Sequence, residues 1–165
     1  MNKKRSPLFL RFINGETGVT DMLLSFSHSP DPVTSQAAAD ALESPPDLTE
    51  FKTEITEAVI DLVKDGPGEE FAAFVNHYMK DSLEEDATSK KTDQGENISR
   101  TARVKDPEAS WVQGFVCYNL CLYIKAFGLQ SLKQCKVCKK LFDHKGKYAV
   151  YCSDGCKKNK GQVLK

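Results

Sequence analysis

The apolar positions of this chain fall mostly at helical spacing. Leu48, Phe51, Ile55, Val59, Leu62 and Val63 recur three or four residues apart, with Lys52, Glu54, Glu57 and Asp61 mainly between them. That period lays one apolar stripe along one face of a helix. Asp47 followed by Glu50 is a capping-box pattern at its start, and Gly66-Pro67-Gly68 ends it. A second stripe, Phe71, Phe74, Val75, Tyr78, Met79 and Leu83, predicts a helix from about Glu69. Val33 to Ser44 is rich in Ala, a good helix former, and stops before Pro45-Pro46. The last long helix is predicted from about Pro107 to Lys133. Trp111, Val112, Phe115, Val116, Leu120, Tyr123, Ile124 and Phe127 cover more than one of its faces, which places it centrally in the core.

Two stretches depart from this period. Leu8, Leu10 and Phe12 alternate with Phe9, Arg11 and Ile13 before Asn14-Gly15, which predicts a short strand and a turn. Residues 87–107 are polar, mixed in charge and nearly free of large apolar groups, which predicts a flexible loop. Its Lys90, Lys91, Arg100, Arg103 and Lys105 suit either a polyanion surface or a solvated linker. His77 lies beside an apolar stripe and is read as a surface or packed residue. Cys117 and Cys121 lie four apart among Leu and Ile, and are read as small buried core residues.

The C-terminal stretch carries the chemistry. From Cys135 it reads CKVCKKLFDHKGKYAVYCSDGCKKNKG. Cys135 and Cys138 form a C-x2-C pair, and Cys152 and Cys156 a C-x3-C pair, thirteen residues apart. Each pair offers two thiolates from one tight turn, and the spacer brings the turns together around one tetrahedral ion. The spacing therefore predicts a single structural Zn2+. Lys140-Leu141-Phe142 and Tyr148-Ala149-Val150-Tyr151 flank a Gly-containing turn and predict a β-hairpin. Ser153 is the expected N-cap of a short helix whose first turn carries Cys156. Phe142, Tyr148 and Tyr151 are the expected small apolar cluster.

Knuckle, hairpin and helix in that order form a treble-clef arrangement. Cys135, Cys138, Phe142, Tyr151, Cys152, Ser153 and Cys156 resemble the CGNR-type zinc fingers of bacterial proteins with a helical N-terminal domain. In this chain Cys156 is followed by Lys157-Lys158-Asn159 rather than by Gly-Asn-Arg. The resemblance covers about a fifth of the sequence and implies a transcription regulator.

Composition adds a charge asymmetry to this pattern. The formal net charge is +0, with 23 basic and 23 acidic residues. Residues 133–165 hold ten Lys, no Arg, and only Asp143 and Asp154, for +8; residues 1–132 carry −8. Four thiolates and one Zn2+ leave the loaded module near +6. Such a module attracts polyanions. Lys145, Lys147, Lys157, Lys158 and Lys160 are the candidate phosphate contacts. The lack of Arg favours backbone contact over base reading.

The fold class expected is therefore mainly α: a helical domain over 1–132 and a treble-clef zinc finger over 133–165. The function expected is DNA binding in transcription regulation. The alternative is a protein-protein interaction or adaptor module with a purely structural finger. A homodimer through the Trp111–Phe127 helix is a further expectation. Four thiolates leave the metal no open position, and the chain has no P-loop, G-x-S-x-G, H-E-x-x-H or dinucleotide fingerprint, so no enzyme is expected. Leu8-Phe9-Leu10 is broken by Arg11, and no apolar run reaches bilayer length. The expected setting is the reducing cytoplasm, away from membranes.

Overall fold

A computed structural model describes residues 6–144 and 149–159, with the backbone alone for 86–92 and 96–100. It is mainly helical, with two small two-stranded sheets. The chain divides into two compact units, one built from Met1–Thr17, Thr49–Ala72 and Asn119–Lys165, the other from Gly18–Leu48 and Ala73–Tyr118.

The first unit contains α1 (Leu8–Ile13) and α4 (Thr49–Asp65). The stripe read from the sequence is the buried face of α4: Phe51, Ile55, Val59 and Leu62 are 4% exposed or less. The alternating stretch at Leu8 forms a helix, not a strand. Phe9, Leu10, Phe12 and Ile13 are all buried. Both parities of the stretch are apolar, so it carries no true period-2 signal, and tertiary burial decides. Phe12 stacks on Phe51 at 5.9 Å, and Phe9 meets Tyr123 edge-on at 5.4 Å. Asn119 Oδ1 accepts from the Phe9 amide at 3.3 Å.

In the second unit, α2 (Val19–Ser27) packs against α3 (Pro32–Glu43). Asp31 caps α3, accepting from the Thr34 amide at 2.8 Å and its hydroxyl at 2.7 Å, with Pro32 in the first turn. Phe26 of α2 contacts Trp111 and Phe115 at 5.8 and 4.8 Å between ring centres.

The polar segment expected to be a loop is instead paired. β1 (Leu83–Thr92) and β2 (Gly95–Val104) form an antiparallel ladder from Leu83↔Val104 to Thr92↔Gly95. The buried Leu83 and Val104 anchor its base, and Arg103 Nε lies 2.7 Å from Glu84 Oε1. Gly95, at φ +124, occupies a turn conformation that other residues rarely adopt.

Two helices supply residues to both units: α5 (Glu69–Met79) and α6 (Trp111–Phe127). His77 on α5 is exposed. α6 is shorter than the predicted 107–133. It starts at Trp111 and stops at Gly128, whose φ of +78 turns the chain out of the helix. Cys117 on α6 is fully buried, as its apolar neighbours predict. Cys121 is half-buried, and desolvation raises its thiol. Among the described residues no helix is long and apolar enough to cross a membrane.

Candidate metal centre

The centre is built on a hairpin, but not the one its sequence predicts. After a short 3-10 turn, β3 (Leu132–Gln134) pairs antiparallel with β4 (Leu141–Asp143), matching Lys133 with Phe142. The C-x2-C turn is therefore the tip of the hairpin rather than a prelude to it. Burial explains the choice: Leu132 and Leu141 are each 2% exposed and sit on the two facing strands. Ala149–Tyr151 is not a strand, although the Lys136 amide donates to the Val150 carbonyl at 3.1 Å. Phe142 and Tyr151 are half-buried, and Tyr148 lies outside the described residues.

At the tip the Cys135 amide donates to the Lys140 carbonyl at 2.9 Å, and the Lys139 amide returns to Cys135 at 3.1 Å. Lys139 sits at φ 61, a left-handed conformation that closes the turn. The second cysteine pair enters α7 (Asp154–Lys158). Ser153 caps α7 as its sequence predicts, its side chain accepting from the Cys156 amide at 3.2 Å.

These elements bring all four cysteines together. Their sulfurs lie within 4.8 Å of one another. Cys138 and Cys152 are 3.5 Å apart, and Cys152 and Cys156 3.6 Å. Four sulfurs held tetrahedrally at ~2.3 Å from zinc lie about 3.8 Å from each other. The cage thus fits one tetrahedral metal ion. Cys135 is its buried corner, and Cys138 is exposed.

The thiols are electrostatically unequal. Desolvation pushes Cys135 up, but hydrogen bonds from the backbone of Cys138, Cys152 and Val137, and from the Cys138 side chain, outweigh it and bring it down to about 6. Cys152 is pushed up to about 12, by burial first and then by hydrogen bonds with Cys138, Cys156 and Cys135. Negative charge is therefore favoured at the buried Cys135, and Cys152 resists ionisation. A cation in the cage removes that resistance, because metal binding displaces the thiol protons.

Lysines surround the cage. Lys157 and Lys158 are exposed on α7. Lys136, Lys139 and Lys140 are exposed on the hairpin tip and its flank, positions the sequence reading did not single out. Lys145, Lys147 and Lys160 lie outside the described residues. An open cleft of about 640 Å3 runs beside β3, lined by Val63, Leu132, Lys133, Lys136 and Val150 among others. Neither a protein-family model nor a curated protein matches this chain.

Proposed function

We propose that the C-terminal module is a zinc-stabilised treble clef that binds duplex DNA through its phosphates. The protein acts, on this reading, as a transcription regulator of the kind its cysteine pattern resembles. The observation that carries it is the set of exposed lysines, Lys136, Lys139, Lys140, Lys157 and Lys158, around the four-cysteine cage. Among the described residues of 133–165, the only carboxylates are Asp143 and Asp154. A compact cationic surface of this density draws in a polyanion.

Zinc suits the donor set, since four thiolates in tetrahedral reach are a common ligand set of structural zinc. When bound, it cross-links the two cysteine pairs and leaves no position for water or substrate. The reading is accordingly non-catalytic. Free thiols at such a centre suit a reducing compartment, and we assign the protein to the cytoplasm.

The test is a titration of zinc-loaded protein with random duplex DNA at two salt concentrations. Five phosphate contacts give a log–log salt slope of about −4 to −5. Lys157→Glu with Lys158→Glu is expected to reduce the slope by about 2 with zinc content unchanged. Absence of binding at low salt refutes the DNA reading. The cleft beside β3, with Leu132 and Val150 next to Lys133 and Lys136, favours a protein partner as the second reading. A partner held there by apolar contact shows a much flatter salt response.

A further inference from the structure

The four cysteines of the cage are unequally placed for chemistry other than metal binding. Cys135 is fully buried and Cys156 half-buried, whereas Cys138 and Cys152 are exposed. The exposed two are also neighbours, with their sulfurs 3.5 Å apart. A disulfide needs about 2.05 Å between its sulfurs, so this pair has only about 1.5 Å to close. Rotation of two solvent-facing side chains supplies a movement of that size.

The surroundings favour oxidation at the same place. Lys136 and Lys139 lie on either side of Cys138 in the sequence, and Lys157 and Lys158 follow Cys156; all four are exposed. An accessible sulfur in a cationic setting is held as the thiolate, the form that reacts. Cys152 has a second neighbour, Cys156, at 3.6 Å. That pair shares one turn, in which the Cys156 amide donates to the Ser153 side chain at 3.2 Å. Drawing Cys156 onto Cys152 strains this cap. Drawing in Cys138, which comes from the hairpin tip, leaves it intact.

We propose that the cage is a peroxide-sensitive switch, in which a hydroperoxide joins Cys138 to Cys152 as a disulfide and the module gives up its metal ion. The proposal rests on the zinc reading given above. The Cys138 thiolate attacks one peroxide oxygen: an S–O bond forms, the O–O bond breaks, and the second oxygen leaves as an anion that takes a proton from water. The Cys152 thiolate then attacks the sulfenic sulfur: the S–S bond forms, the S–O bond breaks, and hydroxide leaves and is protonated. Two thiolates lose two electrons, and the peroxide gains them. A disulfide sulfur is no substitute for a thiolate ligand, so Cys135 and Cys156 alone remain to hold the ion. The β3–β4 hairpin keeps its buried Leu132 and Leu141, which confines the change to the cage. α7 loses its metal tie through Cys156, and Lys157 and Lys158 lose their fixed place. In a reducing compartment such a disulfide is transient, as a signal requires.

Hydrogen peroxide added to the zinc-loaded full chain tests it. The expected result is release of zinc in step with peroxide consumed, read with a chromophoric chelator. Non-reducing peptide mapping by mass spectrometry is expected to give the Cys138–Cys152 link as the main product. Dithiothreitol is expected to restore zinc binding. Cys138→His, and separately Cys152→His, keep four ligands of a kind that zinc accepts. Each is expected to hold zinc and to release it about tenfold more slowly or less. Cys121→Ser, outside the cage, is expected to behave as wild type. A loaded chain that keeps its zinc under peroxide overturns this proposal alone. So does a main product that links Cys135 or joins Cys152 to Cys156, or one in which Cys138 is over-oxidised without a disulfide. A chain that takes up no zinc before peroxide is added overturns the zinc reading and this proposal with it.

Discussion

The amide of Cys156 donates to the side-chain oxygen of Ser153 at 3.2 Å, so the last cysteine of the cage sits in a turn capped from within its own motif. The cap fixes the backbone that aims the sulfur. Ser153→Ala is expected to cost about 1 kcal/mol of helix capping, read as about fivefold weaker metal affinity. Competition with a chromophoric chelator measures it. Equal affinity in the two proteins sinks this role for Ser153.

Cys138→Ser removes one ligand from the exposed side of the cage. The expected outcome is loss of bound zinc and of the ordered hairpin tip, with most of the helical circular dichroism kept. Core helices such as α4 rest on their own buried stripe. Metal analysis by mass spectrometry decides, and an unchanged zinc content would falsify the ligand assignment.

Tyr123 gives the fold a sensitivity to alkali. Its hydroxyl is pushed up to about 12, by burial first and by the Asp143 carboxylate second, against a hydrogen bond with Ser131 that lowers it. An unfolded tyrosine ionises near ~10. The unfolded state therefore releases its proton first, and stability falls as pH rises between those values. Tyr123 contributes fully below pH ~10 and loses that contribution by about pH 12. Tyr123→Phe is expected to flatten this part of the stability curve in urea unfolding. A curve with the wild-type slope contradicts it.

Gly114 lies in α6 where no side chain fits. A methyl there meets Ser82 Oγ at 2.5 Å and the Tyr78 carbonyl at 2.9 Å. The carbonyl belongs to the backbone and yields little. Gly114→Ala is expected to destabilise by about 1–3 kcal/mol despite its better helix propensity. Thermal unfolding checks the sign; a higher melting temperature rules the clash out.

The legible parts of this fold are those with one dominant period. Leu48 to Val63 repeats at helical spacing over several turns, and the buried face of α4 follows it. The cysteine spacing was equally direct, because four sulfurs around one ion need few other constraints. Ser153 was readable as a cap for a similar local reason. Leu8 to Ile13 was not readable, since only packing against Phe51 and Tyr123 selects a helix there. The β1–β2 ladder was hidden because its sequence is mostly polar and lacks an alternating apolar set, with Leu83 and Val104 the buried pair at its base. The hairpin at the cage was misread by looking downstream of Cys138. Leu132, upstream of Cys135, lies opposite Asp143 on the partner strand and is as deeply buried as Leu141.

The Asn14 side chain donates to the Leu141 carbonyl at 2.7 Å across 127 positions of sequence. Polypeptides are made from the N-terminus, so α1 leaves the ribosome long before the strand that holds it exists. Phe9 waits similarly for Tyr123, which α6 supplies long after α1 has been made. Closure of this unit is a late event with a high loop-closure cost. Phe9 consequently stays without its Tyr123 cover until α6 has been made, and a chaperone that grips short aromatic segments has that interval to act on α1.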